Sequence, residues 1–469
     1  MKSFISIILF FTAAHCASAQ TPPKLLAAPD IIPPATAEMQ NPDFWISKIQ
    51  NPDRVIMTPD EIVRFNQKNR TRSLVRKDIR GNTVTIDSVI AGGPPFTGIY
   101  FHLSDPLAIA EYPGSAIAKH IADVGDYVLK ADLWDRRQIT FPERTRHELI
   151  AEMNAGGVPG VIRPRYGMLV RHTLNRLVPT SEKVYRGQFQ WLDGFQNATL
   201  ETGMPVAVLH ASKSGDWLLI RSEYSLGWVP AANVALGSPA AIRAASSPKN
   251  FVVGTVHKIP VYADRTCETW LTDIYMGERL ELAAKTSSSF RVTVPVRRPD
   301  GTLGSAPGWL RGDAGVSVGW QSYTQRNVIA TFFRLLGRPY GWGGTDHERD
   351  CVGAVRSVYR TFGIFMPRWT VFELYSTDHV TSFPADTPLE EKYRLLDACE
   401  PGITVCGFNW HVVLYLGKVD GIHYIIHQNG YSYHDAEGTE YRVGRVSVNH
   451  TELEGGADIK RWTELSVFK

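Results

Sequence analysis

The 469-residue sequence predicts an α+β protein with a partly helical N-terminal region, two small β-barrels and a C-terminal domain that combines a helix with a β-hairpin. Three observations carry this prediction: a twice-repeated pattern of short alternating strands, a glycine-rich turn that opens an amphipathic helix, and a hairpin after that helix. The length suits about three domains. With 50 basic and 47 acidic residues the formal charge is +3, too small to indicate nucleic acid as a partner.

Residues 1–19 have the pattern of a cleaved secretion signal. Lys2 gives a positive start, an apolar run extends from Phe4 to Ala14, and the small residues 17–19 form a cleavage site. The run is too short to span a membrane. Cys16 follows a histidine, whereas a lipid-anchor signal has a small residue there. We therefore expect a secreted or periplasmic protein that is cleaved after Ala19 and does not stay inserted in a membrane.

The region 20–158 mixes predicted helices with irregular segments and contains no catalytic motif. Thr58-Pro59-Asp60-Glu61 is a capping box with proline at the first helical position, and it predicts a helix through Phe65. We predict a stabilising role for this region.

Two segments, 159–240 and 241–320, repeat short strands separated by Gly, Asp and Ser, which predicts two small barrels. The first contains Gly227-Trp228-Val229 and the second Gly308-Trp309-Leu310. Both resemble bacterial SH3-like domains, whose last strand commonly carries a Gly-Trp-Val signature. Most of the aromatic residues are expected to form barrel core.

Residues 315–319 match the GxSxG pattern of a serine nucleophile. That pattern requires a strand that ends at the serine and a helix that starts there. The following segment, residues 320–324, does not predict a helix, so a serine hydrolase is disfavoured.

The stretch 337–368 brings Asp350 and Cys351 to the start of a predicted helix. The i, i+3, i+4, i+7 spacing of apolar residues predicts one buried face, formed by Val355, Val358, Tyr359 and Phe362. Gly363 and Pro367 end the helix. A cysteine in the first helical turn lies in the positive end of the helix dipole, which favours the nucleophilic thiolate.

The segment 409–417 predicts a buried strand with His411 at its start, and residues 423–427 predict its hairpin partner. A helix with Cys followed by a hairpin with His is the layout of a papain-like thiol hydrolase. In that layout His411 takes the proton of Cys351 and His427 orients the His411 ring.

Two other interpretations compete with catalysis. A single cysteine at a helix start is often only a packed residue. His423 and His427 lie on one face of a strand and could both bind a metal ion. The sequence contains neither a helical HExxH nor a CxxC pattern, so we predict no metal and no cofactor.

The C-terminal segment 321–469 resembles the NlpC/p60 cell-wall cysteine peptidases. The matching motifs are PYGWGG (Pro339 to Gly344), DCVG (Asp350 to Gly353), MPR (Met366 to Arg368), HVVLYLG (His411 to Gly417) and IIHQ (Ile425 to Gln428). One departure is Val352, where the family usually has serine.

The resemblance implies a Cys351–His411–His427 triad that cleaves the γ-D-Glu–diamino acid bond of peptidoglycan stem peptides. It also implies that Tyr340, Trp342 and Asp350 line the substrate site, and that Asp350 binds the free amine of an N-terminal L-alanine. In this family the first barrel is expected to close one end of the cleft. Asp350 is equally suited to cap the helix.

Four cysteines remain after cleavage: Cys267, Cys351, Cys399 and Cys406. Cys399 and Cys406 could pair across a Pro-Gly turn, whereas we expect Cys351 to be free and Cys267 to be buried and unpaired. We expect a monomer that binds stem peptides. The alternatives are a wall-binding protein with an inactive hydrolase domain and a thiol acyltransferase.

Overall fold

The computed structural model describes residues 26–72, 75–85, 99–100, 103–187 and 192–469. The predicted signal segment, residues 1–19, lies outside the described residues. Within these ranges, none of the helices is both long and apolar enough to cross a membrane.

The N-terminal region mixes short helices with small strand pairs. Its helices are α1 (Pro42–Ile46), α2 (Pro59–Asn69), α3 (Gly114–Lys130) and α4 (Glu143–Glu152). Its strands are β1 (Leu26–Ala27), β2 (Val75–Lys77), β3 (Thr83–Thr85), β4 (Tyr112–Pro113), β5 (Leu133–Trp134) and β6 (Val161–Ile162).

The predicted capping box opens α2. The Glu61 carboxylate accepts from the Thr58 backbone N–H at 2.8 Å, and the Thr58 side chain accepts from the Glu61 backbone in return. The helix continues past the predicted end at Phe65 as far as Asn69. Asn69 is fully buried, and its amide donates to the Phe365 carbonyl at 3.1 Å. This contact with the C-terminal domain stabilises the extra turn.

The first predicted barrel contains a seven-stranded antiparallel sheet in the order β10-β8-β13-β12-β11-β7-β14. The strands of this region are β7 (Arg165–Leu169), β8 (Thr173–Arg176), β9 (Tyr185–Arg186), β10 (Gln196–Leu200), β11 (Pro205–Ala211), β12 (Trp217–Arg221), β13 (Leu226–Pro230) and β14 (Val234–Leu236). The short β9 pairs with β5 instead. Trp228 lies on β13 and is fully buried, as expected for barrel core. Helix α5 (Pro239–Ser246) follows.

The second predicted barrel also contains a seven-stranded antiparallel sheet, in the order β17-β16-β20-β19-β18-β15-β21. Its strands are β15 (Phe251–Gly254), β16 (Lys258–Tyr262), β17 (Trp270–Tyr275), β18 (Arg279–Lys285), β19 (Ser289–Arg297), β20 (Leu303–Arg311) and β21 (Val316–Val318). Ser317 of the GxSxG match lies inside β21, opposite Val253. No helix starts at this serine, so the match is not a nucleophile turn.

The C-terminal domain has a six-stranded antiparallel sheet in the order β22-β29-β23-β24-β25-β28. Its strands are β22 (His379–Ser382), β23 (Thr404–Phe408), β24 (His411–Val419), β25 (Ile422–Asn429), β26 (Ser432–His434), β27 (Glu440–Arg442), β28 (Arg445–His450) and β29 (Glu464–Val467). Its helices are α6 (Gln325–Phe333), α7 (Cys351–Arg360), α8 (Thr370–Leu374) and α9 (Leu389–Asp397). Strand β1 pairs with β27 and ties the N-terminal region to this domain.

Helix α7 packs its predicted apolar face on the sheet. The side chains of this face are fully buried, and they share one core with strand residues of β24 and β25: Val355, Val358, Tyr359 and Phe362 on the helical segment, and Val412, Leu414 and Ile426 on the sheet. Burying each valine contributes about 1.5–3 kcal/mol. Gly363, with φ of +80°, ends the segment as predicted. The core thus fixes the position of the helix start.

The first barrel contacts α7 and the glycine-rich turn directly. Arg356 of α7 forms a buried ion pair with Glu201, whose carboxylate also accepts from the Tyr224 hydroxyl at 3.0 Å. Gln196 of β10 donates to the Gly343 carbonyl at 2.9 Å. The barrel therefore supports the segment that precedes Cys351.

Candidate active site

Cys351 is the first residue of α7 and is buried, with 6% of its surface exposed. Its sulfur lies 3.9 Å from the Trp410 carbonyl oxygen and accepts a hydrogen bond from the Val412 backbone N–H. Trp410 and Val412 flank His411 in the chain. The structure thus brings the sulfur against the start of β24.

Burial is the strongest electrostatic influence on the Cys351 thiol. It raises the pKa to about 12, the Asp350 carboxylate adds to this increase, and the Val412 N–H opposes it. The resting group is therefore a neutral thiol. The expectation from the sequence that the helix start favours a thiolate is outweighed because the dipole effect is small beside desolvation.

A chain of buried hydrogen bonds extends from His411 into the sheet. His411 Nε2 lies 2.7 Å from His427 Nδ1, and His427 Nε2 lies 2.8 Å from Asn449 Oδ1. Asn449 Oδ1 also accepts from the Ser447 hydroxyl at 2.6 Å. Strands β24, β25 and β28 are neighbours in the sheet and supply one ring or amide each.

This chain fixes the tautomers of both rings. When Asn449 Oδ1 accepts from His427 Nε2–H, His427 Nδ1 must accept, so His411 Nε2 donates. The proton-free nitrogen of His411 is then Nδ1, which is buried and has no hydrogen-bond partner among the described residues. If the Asn449 amide were flipped, its NH2 group would donate to His427 Nε2 and His427 Nδ1 would donate to His411 Nε2. His411 Nδ1 would then carry the proton. Only the first arrangement gives a base.

Both rings are neutral at physiological pH. Burial lowers the pKa of His411 well below its usual range, and His427 and Arg461 add to this effect. Burial also lowers the pKa of His427 to about 4, although its hydrogen bond to Asn449 opposes the shift. The arrangement can therefore move a proton from thiol to imidazole during a reaction, but holds no ion pair beforehand.

The His411 ring is held from the side by Tyr431 and Gly456. The Tyr431 ring meets it edge-on with centroids 5.2 Å apart. A Cβ atom on Gly456 would lie 2.7 Å from His411 Cδ2 and 2.8 Å from Nε2. Gly456 thus lies so close to the imidazole that any side chain would displace the ring.

Asp350 is buried and has three partners. Its Oδ1 accepts from the Gly353 N–H at 2.8 Å, and its Oδ2 accepts from the Gly343 N–H at 2.9 Å. Arg368 forms an ion pair with the same Oδ2. The helix-cap role that the sequence offered as an alternative is therefore present. The carboxylate also joins the glycine-rich turn to α7.

Tyr340 lies beside these groups and is half-buried. Burial raises its pKa well above the usual range, and negative charge at Cys351 and Asp350 adds to the increase. Its ring packs on Gly430, where an added Cβ would lie 2.7 Å from Cε2. Trp342 begins the 3-10 turn Trp342–His347 and is also half-buried. Among the residues that the structure describes, its side chain makes no hydrogen bond or ring contact to the others.

Sequence reasoning did not assign several residues of this site. Arg368 was visible only as the end of the MPR motif, and Asn449, Tyr431 and Gly456 gave no local signal. Trp369 and Trp410 form an aromatic rim, with ring centroids 5.4 Å apart. Trp410 is 45% exposed, although its backbone carbonyl contacts the sulfur.

The competing metal interpretation gains no support from the two histidines of β25. His423 Nδ1 lies 2.9 Å from the Tyr415 hydroxyl and its Nε2 lies 3.2 Å from an Asp397 oxygen. His427 bonds to different groups, so the two rings belong to separate networks.

All four cysteines of the described ranges are free thiols. This agrees with the expectations for Cys351 and Cys267. The pairing of Cys399 with Cys406, which the sequence left open, is not formed in the structure.

Comparisons with known proteins agree with this architecture. Residues 337–448 match the NlpC/P60 family model, and residues 190–230 match an SH3 domain of the SH3b1 type. An NlpC/P60 endopeptidase from Photobacterium damselae subsp. piscicida has the same fold, with a TM-score of 0.69, 18% identity and coverage of 94% of this chain and 98% of that chain. No curated protein matches significantly.

An NlpC/P60 family protein from Bacillus cereus is also similar, with a TM-score of 0.44 and 18% identity over 64% of this chain and 98% of that chain. The NlpC/P60 match indicates a cysteine peptidase domain of the cell-wall hydrolase class. The chain carries an NlpC/P60 domain and an SH3-like domain. Domains of this kind indicate an extracytoplasmic role.

Proposed function

We propose that this chain hydrolyses the γ-D-Glu–diamino acid bond of peptidoglycan stem peptides with Cys351 as nucleophile, His411 as base and His427 as the third member. One observation carries the proposal. His411 Nε2 lies 2.7 Å from His427 Nδ1, while the Cys351 sulfur rests against the backbone on both sides of His411. This arrangement leaves His411 Nδ1 available for the thiol proton.

In the first step the Cys351 sulfur attacks the γ-carbonyl carbon of D-Glu while His411 Nδ1 takes the thiol proton. The developing oxyanion accepts from the Cys351 backbone N–H, which has no helical partner in the first turn, and from the Tyr340 hydroxyl. When the C–N bond breaks, protonated His411 donates to the departing amine. The product of this step is a thioester.

In the second step water attacks the thioester carbonyl. His411 Nδ1 accepts a proton from the water, the C–S bond breaks, and the proton returns to sulfur. The dipeptide leaves as a free acid. Since both histidines are neutral at rest, the same base serves both steps.

Substrate binding is proposed for Asp350, Tyr340 and Trp342. The Asp350 Oδ1 atom has a single backbone partner, so a lone pair is left for the ammonium group of an N-terminal L-alanine. Arg368 forms an ion pair with the other oxygen of this carboxylate. Peptides with a free N-terminus are therefore the proposed substrates.

The organisation of the chain is part of the proposal. A signal segment is removed after Ala19 and delivers the protein to the periplasm or the exterior. A stabilising region at 20–158, barrels at 159–240 and 241–320, and the peptidase domain at 321–469 then act as a monomer.

Product analysis tests the proposed bond. The purified protein would be incubated with L-Ala-γ-D-Glu-diaminopimelate, and the products would be identified by mass spectrometry. The proposal predicts L-Ala-γ-D-Glu and free diaminopimelate, and much slower release from a peptide whose N-terminus is acetylated. Cleavage at another bond would refute it.

A further inference from the structure

The Arg461 guanidinium packs over two aromatic rings beside His411. It ends the 3-10 turn Ile459–Arg461, and its guanidinium carbon lies 4.4 Å from the centroid of the Phe408 ring and 5.4 Å from that of Tyr431. Both rings also face His411, with centroid distances of 6.4 Å for Phe408 and 5.2 Å for Tyr431. The cation is therefore on the His411 side of the site.

Most of the donors of Arg461 remain available. The residue is exposed, and its only side-chain hydrogen bond within the described ranges is from Nη1 to the Gly455 carbonyl at 3.3 Å. In the same ranges no carboxylate lies within ion-pair distance of it. Cation–π contacts hold a guanidinium in place without neutralising its charge. A guanidinium fork oriented in this way can bind a carboxylate through parallel hydrogen bonds.

The charge of Arg461 reaches the reacting groups. It lowers the pKa of His411, although less than burial and His427 do. Burial raises the pKa of Tyr431, the charge of Cys351 adds to this increase, and Arg461 opposes it. A ligand bound at Arg461 would thus lie beside the Tyr431 and His411 rings, close to the proposed site of bond cleavage.

We propose that Arg461 binds a carboxylate of the diamino acid that leaves the scissile bond. This inference rests on the proposed function: His411 protonates the departing amine, so the leaving group lies on the His411 side. A diamino acid at the end of a peptide carries a main-chain carboxylate. Diaminopimelate carries a second carboxylate beside the ammonium group at the end of its side chain, whereas lysine carries the ammonium group alone, which Arg461 would repel.

A substrate-by-variant comparison tests the inference. The substrates are L-Ala-γ-D-Glu-diaminopimelate, the same peptide with the side-chain carboxylate as a carboxamide, and the same peptide with the main-chain carboxylate as a carboxamide. The enzymes are the wild type, Arg461→Met, Arg461→Lys and the control Arg311→Met. Arg311 is an exposed arginine over the Tyr262 ring at 5.5 Å in the second barrel, remote from the catalytic machinery.

Arg461→Met is expected to lower kcat/KM about 10-fold on the peptide with both carboxylates. One of the two carboxamide peptides lacks the carboxylate that Arg461 binds. On this peptide the kcat/KM of the wild type is expected to fall by a similar factor, and Arg461→Met should lower it little further. The carboxamide that shows this behaviour identifies the side-chain or the main-chain carboxylate as the ligand. Arg461→Lys keeps the charge and is expected to be intermediate, and Arg311→Met should match the wild type.

An equal loss on all three peptides with Arg461→Met would overturn the inference, because the variant would then act only through the base. That conclusion would stand even if Arg461→Lys cut all three peptides at the wild-type rate. Failure of the wild type to cut any of the peptides at the γ-D-Glu bond would instead refute the proposed function and the inference with it. The two failures are therefore distinguishable.

Discussion

His427 Nε2 lies 2.8 Å from Asn449 Oδ1, and this contact determines which nitrogen of His411, the proposed base, is free to accept a proton. The amide oxygen receives the His427 proton, His427 in turn accepts from His411 Nε2, and His411 Nδ1 is left without a proton. Three neighbouring strands contribute to this chain, so the tautomer of the base depends on a residue that does not touch Cys351.

Asn449→Ala should lower kcat by about 10–100-fold, because it removes one buried hydrogen bond and the constraint on the His427 tautomer. KM should change little, since Asn449 lies behind the base. Nitrogen NMR of the histidines would show His411 moving from one tautomer to a mixture. Ser447→Ala leaves the amide in place and should have a smaller effect. Wild-type kcat in Asn449→Ala with an unchanged tautomer would contradict this role.

Gly456→Ala should inactivate the protein with little effect on its folding. The added Cβ would meet His411 Cδ2 at 2.7 Å and Tyr431 Cδ2 at 2.7 Å, and no positive φ adds backbone strain. The ring would have to turn away from the sulfur. Gly160→Ala is a matched control, because nothing lies within 4 Å of its added Cβ. The measurements are kcat and thermal unfolding; normal activity in Gly456→Ala would show that the ring tolerates the displacement.

Alkylation of Cys351 should accelerate with pH well into the alkaline range. Burial raises the pKa of this thiol to about 12, so the thiolate fraction is small at neutral pH and increases roughly tenfold with each pH unit. Iodoacetamide labelling followed by peptide mass spectrometry would give the rate at each pH. A plateau reached below pH 7 would mean that the resting enzyme holds a thiolate–imidazolium pair instead.

Glu464 makes stability fall as the pH rises. Burial raises its pKa from 4.5 to about 7 in the folded protein, so the folded state binds the proton more tightly than the unfolded state does. The stabilisation is complete below pH 4.5 and is lost by about pH 7, with a magnitude on the order of 3 kcal/mol. Glu464→Gln should remove this contribution. Urea unfolding at pH 5 and pH 7.5 would test it, and equal pH dependence in the variant and the wild type would contradict the assignment.

The parts of the site that follow from local sequence were predictable. The helix that starts at Cys351 and the hairpin that carries His411 and His427 have clear periodicity and turn signals, and the structure contains both. The end of α2 was misplaced because Asn69 is held by a contact with Phe365, which no local pattern reveals. Favourable interactions between distant segments decide such boundaries.

The remaining site residues depend on contacts between distant parts of the chain. Asn449 and Gly456 approach His411 only after the sheet has formed, and Arg461 reaches it across the rings of Phe408 and Tyr431. The protonation state of Cys351 was wrongly expected from the helix dipole alone. Its burial, which the sequence does not show, has the larger effect.

The identity of the nucleophile is the central claim, and one comparison of variants tests it most directly. Cys351→Ala and Cys399→Ala would each be incubated with L-Ala-γ-D-Glu-diaminopimelate, and the release of L-Ala-γ-D-Glu would be followed by mass spectrometry. The structure predicts no dipeptide from folded Cys351→Ala and normal release from Cys399→Ala. Release of the dipeptide by Cys351→Ala at the wild-type rate would contradict the account.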